Sequence, residues 1–300
     1  MLKPLIVILG PTASGKTDLA IRLAQKFKGE VVSADSRQIY KEMDVGTAKP
    51  RQTRGIPHHL ISFIRPRQAF NAARYQKEAL KAIQGVLERG RLPFLVGGNG
   101  LYLQAVADNL GFPRVAPSPR LRQSLEKKSL AELGRLYRKM DPRGARVIDR
   151  KNRRRLIRAI EVCHLSGKPF WSQRKKEKSP FKTLWLGIRP SEAVLRRNIS
   201  RRTEEMLRLG LEKEARKLFR RYGSRLPSLQ TIGYQEWPPF LRGRINSTTR
   251  KKIAEEIKNH TWQYAKRQMV WFKRDNRIIW LPQSRLIQRA ARLVRSFTAQ

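Results

Sequence analysis

The fold is decided near the N-terminus, where a short apolar run leads directly into a glycine-rich turn. The apolar run reads Leu5-Ile6-Val7-Ile8-Leu9. The turn that follows it reads Gly10-Pro11-Thr12-Ala13-Ser14-Gly15-Lys16-Thr17. Five consecutive apolar residues are typical of a strand that is buried on both faces of a parallel sheet. Because a helical pattern begins at Lys16, the turn is predicted to connect a strand to a helix.

The turn at residues 10–17 fits the pattern G-x-x-x-x-G-K-[ST], which is suited to holding phosphate groups. Its glycines let backbone N–H groups approach phosphate oxygens, and the start of the helix adds partial positive charge. Lys16 contributes a full charge, and the Thr17 hydroxyl can bind Mg²⁺. The sequence therefore predicts a diphosphate- or nucleotide-binding site across residues 10–17, with magnesium at Thr17.

Beyond this turn, strand and helix patterns alternate. Short apolar stretches at residues 31–34, 94–96 and 183–188 predict strands, and residues 16–27 and 70–89 predict helices. The alternation predicts an α/β fold, a doubly wound parallel sheet like that of P-loop NTPases.

A mostly helical insertion is predicted inside this fold. Prolines at 113, 117 and 119 interrupt the pattern, and residues 114–182 then carry 22 basic and 6 acidic side chains. We therefore expect residues 1–113 and 183–300 to form the P-loop α/β core, with a helical C-terminal part, and residues 114–182 to form a basic helical insertion domain.

The charge of the whole chain indicates its partner. The 66 Lys and Arg outnumber the 23 Asp and Glu, which gives a formal charge of +43. Such a field attracts polyanions, so nucleic acid is the expected partner, and adaptation to a particular cell chemistry is the alternative. The only cysteine, Cys163, excludes an internal disulfide framework. No apolar run is long enough to span a bilayer, so we expect a cytoplasmic protein with no membrane partner.

Asp35 is the strongest catalytic candidate outside the turn. It ends the predicted second strand and is followed by Ser36-Arg37-Gln38. Ligands of α/β sheets bind at the carboxyl ends of the strands, which is where Asp35 would lie. A phosphate-binding loop alone is also compatible with a nucleotide or metabolite kinase, which would need an acidic residue after a strand.

Several different short motifs follow one another along the chain. They are GPTASGKT at 10–17, DSRQIY at 35–40, MDVGTAKP at 43–50, PHHL at 57–60, GGNGLY at 97–102, RRLIRAIEV at 154–162, IGY at 232–234 and AKRQ at 265–268. In this set the chain resembles the tRNA dimethylallyltransferase family of bacterial type, also called tRNA isopentenyltransferases, over most of its length. The resemblance implies transfer of a dimethylallyl group from dimethylallyl diphosphate to the N6 amine of the adenosine next to the anticodon in tRNA.

The resemblance also implies roles for individual residues. Asp35 looks like the base that takes the proton of the adenine amine. Lys16, Arg202, the amides of the turn and Thr17 with Mg²⁺ would stabilise the departing diphosphate. The family usually has threonine at position 99, whereas this chain has Asn99, whose amide reaches further than a hydroxyl and could change the geometry around the base.

An RNA interface is implied as well. The insertion would clamp the tRNA anticodon stem-loop, and the enzyme would need no partner subunit, so a monomer is expected. The residues assigned to tRNA binding are Asp35, Ser36, Arg37, Gln38, Arg154, Arg155, Leu156, Ile157, Arg158, Gly233, Tyr234, Lys266, Arg267 and Gln268. Trp271 and Phe272, which follow the last of these, could stack on unpaired bases.

Three other functions remain as alternatives. A kinase would use the same loop but gains nothing from a charge of +43. An enzyme that prenylates free adenine nucleotides would not need the basic insertion, and a non-enzymatic RNA-binding module would not need Asp35. His58 and His59 are interpreted as loop or packing residues, not as metal ligands.

Overall fold

The computed structural model describes residues 2–173, 177–241, 243 and 245–299. Its centre is a six-stranded sheet in which neighbouring strands are parallel, with the order β3-β2-β4-β1-β5-β6. The strands are β1 (Lys3–Leu9), β2 (Gly29–Ser33), β3 (His58–His59), β4 (Leu92–Gly97), β5 (Phe181–Ile188) and β6 (Ile278–Leu281).

Helices cover both faces of this sheet, as the alternating pattern predicts. The helices of this unit are α1 (Lys16–Lys26), α2 (Ala72–Glu88), α3 (Gly100–Ala107), α8 (Glu192–Arg208), α9 (Leu211–Tyr222), α10 (Ser247–Phe272) and α11 (Leu286–Thr298). Along β1, Leu5, Val7 and Leu9 pack with α2 and α3. Ile6 and Ile8 point the other way and pack with α1 and α11. Because every one of these five side chains is fully buried, β1 is a strand with two apolar faces. The predicted α/β fold with a doubly wound parallel sheet is confirmed.

Two edge strands were not predicted. The first, β6, has only four residues and lies in the C-terminal part, which was expected to be helical. The second, β3, is formed by His58 and His59, which pair with β2. His59 Nε2 lies 2.6 Å from Glu30 Oε2, so this histidine has a carboxylate partner inside the fold. The described residues contain no group of three or more His, Cys, Asp or Glu that could hold a metal ion.

The chain divides into two compact units, one of residues 1–107 with 180–300 and one of residues 108–179. The second unit begins six residues before the predicted insertion and ends three residues earlier, because β5 already starts at Phe181. Residues 174–176 of the predicted helical stretch lie outside the described residues. The second unit contains α4 (Pro119–Glu126), α5 (Leu130–Met140), α6 (Pro142–Val147) and α7 (Arg153–Ser166).

A buried carboxylate organises the helical unit. Glu161, on α7, is fully buried and accepts hydrogen bonds from Arg122 Nε (2.8 Å), Arg158 Nη1 (2.6 Å) and the backbone N–H of Ser118 (2.8 Å). Although burial alone would raise it, these donors lower the pKa of Glu161 from 4.5 to about 2. The carboxylate is therefore ionised and fully partnered, and it ties α4 and α7 together.

None of the helices in the described ranges is both long enough and apolar enough to cross a membrane.

Candidate functional site

The phosphate-binding loop joins β1 to α1, as the sequence predicts. Gly15 precedes the helix with φ of 88°, a left-handed conformation that favours glycine. A Cβ on Gly10 would lie only 2.8 Å from Ser14 Oγ and 2.9 Å from the carbonyl oxygen of Ile188. The loop can therefore wrap tightly only with glycine at both ends of its turn.

Lys16 lies inside this loop, in surroundings that disfavour its positive charge. Its Nζ donates a hydrogen bond to the carbonyl of Pro11 at 3.1 Å. Burial, with a smaller contribution from the charge of Arg202, lowers the pKa of Lys16 from 10.5 to about 8, and the charge of Asp35 opposes this. Ser14 Oγ is buried beside it and has no hydrogen-bond partner among the described residues. The loop thus offers an under-compensated cation and an unused hydroxyl, which together suit an anion.

Two helices hold the loop from outside. Arg202, on α8, donates from Nη1 to Thr12 Oγ1 at 3.0 Å, and burial lowers the pKa of this guanidinium. Asn198, one turn earlier, donates to the carbonyl of Ala13 at 3.0 Å. On α10, Gln268 Oε1 accepts a hydrogen bond from the Thr12 N–H at 2.8 Å. The structure therefore brings Arg202 to the loop, where the resemblance implied a role for it.

Gln268 also reaches the next strand end. Its side chain is buried, and its Nε2 donates to the carbonyl of Gly98 at 2.8 Å. A Cβ on Gly98 would come within 2.2 Å of that nitrogen, so any side chain there would displace the Gln268 carboxamide. Gln268 had been assigned to tRNA binding; in the structure its carboxamide instead joins the phosphate-binding loop to the end of β4.

Asp35 follows the end of β2 and closes a tight turn. Its Oδ1 accepts hydrogen bonds from the backbone N–H groups of Arg37 (2.8 Å) and Gln38 (3.3 Å). Oδ2 accepts none from the described residues, so one oxygen is fixed while the other is available. Lys16 follows β1, Asp35 follows β2 and Arg202 bonds the loop, so all three groups lie at one edge of the sheet. There the charge of Asp35 raises the pKa values of both cations against the effect of burial.

The segment after Asp35 is braced from within. Gln38 Nε2 donates to the carbonyls of Ala48 (3.2 Å) and Thr47 (3.4 Å), so this side chain supports a loop instead of standing free for RNA. Ser36 and Arg37 are half-buried. The loop itself is held by Glu214, which accepts hydrogen bonds from the backbone N–H groups at positions 44, 45 and 46.

Tyrosines, which the sequence interpretation missed, surround this edge. Tyr75 and Tyr102 stack with ring centroids 3.9 Å apart, and the Tyr75 hydroxyl donates to the carbonyl of Ser33. Burial, helped by the nearby charge of Asp35, raises the pKa of Tyr264 to about 12. Tyr102 lies in the GGNGLY motif and Tyr264 directly precedes AKRQ, so these motifs indicate the position of both tyrosines in the sequence.

Asn99 has a local structural role. Its Oδ1 accepts a hydrogen bond from the Tyr102 N–H at 3.3 Å, and its carbonyl accepts one from Leu103, so it caps the start of α3. The following residue, Gly100, is packed against the indole of Trp271, which leaves no room for a Cβ. Asn99 therefore lies at the strand end as predicted, with its side-chain oxygen engaged by α3.

The arginine-rich helix α7 corrects part of the predicted RNA interface. Leu156 and Ile157 are buried in the core of the helical unit and cannot present side chains to RNA. Arg158 is engaged by Glu161 and by the carbonyl of Val115. Arg154 and Arg155 are exposed. The helical period puts the apolar and ion-paired members of the motif inward, which a linear motif does not reveal.

The IGY motif needs a similar correction. Tyr234 is fully buried, and its hydroxyl donates to Glu214 Oε1 at 2.7 Å. Gly233 has φ of 97°, and a Cβ there would lie 2.8 Å from the carbonyl oxygen of Gly46. Both residues support the loop behind Asp35 and do not face solvent.

At the end of α10, Lys266 and Arg267 are exposed, as expected for residues that contact RNA. The Arg267 guanidinium lies 6.0 Å from the Tyr264 ring centroid. Phe272 is buried in the sheet core, so it is not a stacking platform for bases, whereas Trp271 is only half-buried against that core.

Known proteins resemble the chain over nearly its full length. The model of the IPP transferase family matches residues 38–275, and that of isopentenyl transferase matches residues 3–56. A tRNA dimethylallyltransferase of Roseiflexus sp. (strain RS-1) is 46% identical, with 98% of each chain covered. Another, of Pelotomaculum thermopropionicum, is 40% identical over 93% of this chain and 90% of its own.

Solved structures agree with this. The tRNA isopentenylpyrophosphate transferase of Bacillus halodurans superposes with a TM-score of 0.73 at 34% identity, covering 98% of this chain and 96% of its own. A eukaryotic dimethylallyltransferase acting on tRNA gives a TM-score of 0.78 at 29% identity, covering 93% of this chain and 73% of its own. The loop suited to an anion and the acidic residue beside it agree with these relatives. The chain belongs to the IPP transferase family of tRNA dimethylallyltransferases.

Proposed function

We propose that this edge of the sheet transfers a dimethylallyl group from dimethylallyl diphosphate to the N6 amine of the adenosine next to the anticodon in tRNA. Transfer of this group to tRNA is the activity to which family membership points. The observation that carries the proposal is that two cations, Lys16 and Arg202, and one carboxylate, Asp35, lie at the same edge of the sheet, the cations for a leaving diphosphate and the carboxylate for a proton.

The chemistry requires a base and an anion site in one place. The lone pair of an adenine amine is delocalised into the ring, so the amine attacks well only if its proton is removed as the new bond forms. The nitrogen forms a bond to the allylic carbon, the carbon–oxygen bond breaks, and diphosphate leaves. Asp35 accepts the proton through the carboxylate oxygen that its turn leaves available.

Departure of diphosphate places negative charge on the loop. Lys16, Arg202 and the loop amides stabilise that charge, which grows in the transition state. Oxygen donors are what Mg²⁺ prefers, and the half-buried Thr17 hydroxyl, at the start of α1, is the residue that would hold it. When bound, the ion would neutralise charge on the diphosphate oxygens.

The partner is inferred from charge. We infer that the tRNA anticodon stem-loop contacts exposed basic residues, among them Arg154, Arg155, Lys266 and Arg267, and that the target base leaves its stack to reach Asp35.

The test supplies labelled dimethylallyl diphosphate, Mg²⁺ and either tRNA or AMP. The wild-type protein should label tRNA and not AMP. Asp35→Asn should lower single-turnover rates by roughly 10²–10⁴ with tRNA affinity nearly intact. Asp18→Asn, at an exposed position of α1, is the matched control and should retain activity. Labelling of AMP, steady hydrolysis of ATP, or a wild-type rate in Asp35→Asn would contradict the proposal.

A further inference from the structure

A groove outside the catalytic edge is lined by basic side chains. It encloses about 880 Å³ between the end of α8, the helix α9 and the start of α10. Of the described residues that line it, six are lysine or arginine and one, Glu212, is acidic, so the groove has a strong positive charge.

Two of the lining arginines already have partners inside the fold. Glu212 accepts hydrogen bonds from Arg216 Nε (3.1 Å) and Arg250 Nε (2.8 Å), which ties α9 to α10. Arg216 also donates to the carbonyls of Leu241 (3.3 Å) and Gly243 (3.2 Å). These arginines maintain the shape of the groove and have limited capacity for a ligand.

Three further basic side chains form what we call the α9 stripe: Lys213, Lys217 and Arg220. Their spacing of four and three residues puts them on one face of the helix, about 10 Å from first to last. All three are exposed, and none makes an ion pair or a side-chain hydrogen bond with a described residue. At the roughly 3.4 Å rise per nucleotide of a strand, the stripe spans about three phosphates.

An adjacent face of α9 connects to the catalytic edge. There Glu214 binds the backbone N–H groups at positions 44–46, and the same loop offers the carbonyls that hold Gln38. The N–H of Gln38 in turn bonds Asp35. A chain of direct contacts therefore runs from Asp35 through Gln38 and the loop to Glu214, which ties α9 to the catalytic edge.

From this geometry we propose that the α9 stripe binds the sugar–phosphate backbone of the tRNA next to the modified nucleotide. The inference rests on the proposed function, since it assumes that a tRNA nucleotide occupies the Asp35 site. The groove is open, and the described residues that line it are mostly cationic and include no aromatic side chain, which favours backbone contact without sequence recognition. It supplies affinity and register, not chemistry.

A matched pair of variants tests this. The α9 triple is Lys213→Gln, Lys217→Gln and Arg220→Gln. The control triple is Arg285→Gln, at the residue that precedes α11, with Arg289→Gln and Arg292→Gln on α11 itself. These side chains have the same spacing and are also exposed and unpaired among described residues. Each triple removes three charges, so both change the overall field equally.

The readout is tRNA affinity over a series of salt concentrations. In the α9 triple, the slope of log affinity against log salt should fall by about 2 to 3, and the tRNA KM should rise about tenfold or more. The α11 triple should keep the wild-type slope. A charge-keeping triple, Lys213→Arg with Lys217→Arg and Arg220→Lys, should also keep it, which excludes misfolding as the cause.

Equal slopes for the α9 and α11 triples, or loss in the charge-keeping triple, would overturn the inference. These outcomes are separate from failure of the proposed function, which would appear as absent tRNA labelling by the wild-type protein. If the wild type labels tRNA and the α9 triple binds it normally, only the α9 stripe is wrong.

Discussion

The edge of the sheet around Lys16 and the helix α7 both carry charged motifs, but they use charge in opposite ways. At the sheet edge, burial lowers the pKa of Lys16, so the charged form is disfavoured and an anion would restore it. On α7, donors lower the pKa of Glu161, so the charged form is favoured and its partners are already present. A lowered pKa in a cation indicates that its charge lacks sufficient partners, whereas a lowered pKa in an anion indicates that the fold already supplies partners for its charge.

This difference distinguishes charged residues that are available to a ligand from charged residues that stabilise the fold. The uncompensated loop is where a ligand adds stability, and the compensated Glu161 cluster is where any change removes it. Arginines in a motif therefore have two meanings, and their partners decide which applies. Arg202 faces a ligand site through Thr12, whereas Arg158 completes an internal ion pair.

The largest effect is expected from removing the charge at Glu161. Glu161→Gln leaves two arginines facing a neutral amide and should destabilise the helical unit by about 2–4 kcal/mol, less than for a fully buried pair because both arginines reach solvent. Hydrogen exchange in peptides from residues 119–166 would measure this. Glu126→Gln, at an exposed position of α4, is the control and should change little.

The same carboxylate predicts a pH dependence. Because its pKa is lower in the folded protein, Glu161 stabilises the helical unit above pH 4.5, and that stability is lost as pH falls towards about 2. Protection that stays constant from pH 5 to 2.5, or that falls equally in Glu161→Gln, would contradict this account of the cluster.

Much of the sheet edge could be predicted from sequence, because its signals are local. A strand of five apolar residues, a glycine turn and a carboxylate at a strand end are each encoded within a few positions. What Gln268 or Tyr234 contacts could not be predicted, since the partners Thr12 and Glu214 are distant in sequence. On α7, helical periodicity places Leu156 and Ile157 on the buried face of the helix, which the linear motif does not reveal.

The next effect concerns the charge of Lys16, which lacks sufficient partners. Dimethylallyl diphosphate should raise the pKa of Lys16 from about 8, so binding at pH 8.5 takes up a fraction of a proton and binding at pH 6.5 takes up almost none. Isothermal titration in two buffers of different ionisation enthalpy measures this uptake. Lys16→Ala should abolish it and weaken affinity about 10- to 100-fold, as expected for a charge-assisted hydrogen bond.

The control for that experiment is Lys26→Ala, which removes an exposed charge from the same helix. It should keep both affinity and proton uptake. If Lys16→Ala retained the uptake, the titrating group would lie elsewhere, and the contrast with Glu161 would lose its basis.

A smaller effect is expected at Gln268, which supports the loop through its hydrogen bonds to Thr12 and Gly98. Gln268→Leu removes the hydrogen bonds to Thr12 and Gly98, and kcat/KM for dimethylallyl diphosphate should fall about tenfold, at roughly 0.5–1.5 kcal/mol for each bond. Affinity for tRNA should be unchanged, because the side chain is buried. Gln263→Leu, exposed on α10, is the control. A variant that loses tRNA affinity but keeps its diphosphate kinetics would return Gln268 to the RNA interface.

The smallest effect comes from comparing two arginines one turn apart on α7. Arg154 is exposed, whereas Arg158 is bound to Glu161 and to the carbonyl of Val115. Arg154→Ala should lower the slope of log tRNA affinity against log salt by about 0.7–0.9, the value for one phosphate contact, and leave the helical unit as stable as before. Arg158→Ala should do the reverse and lower stability with little change in slope, since its charge is already used inside the fold. Salt-dependent binding and hydrogen exchange on both variants separate the two roles. If both variants changed the slope equally, Arg158 would contact RNA despite its ion pair. The partners of an arginine on α7 would then not tell whether it binds RNA or stabilises the helical unit.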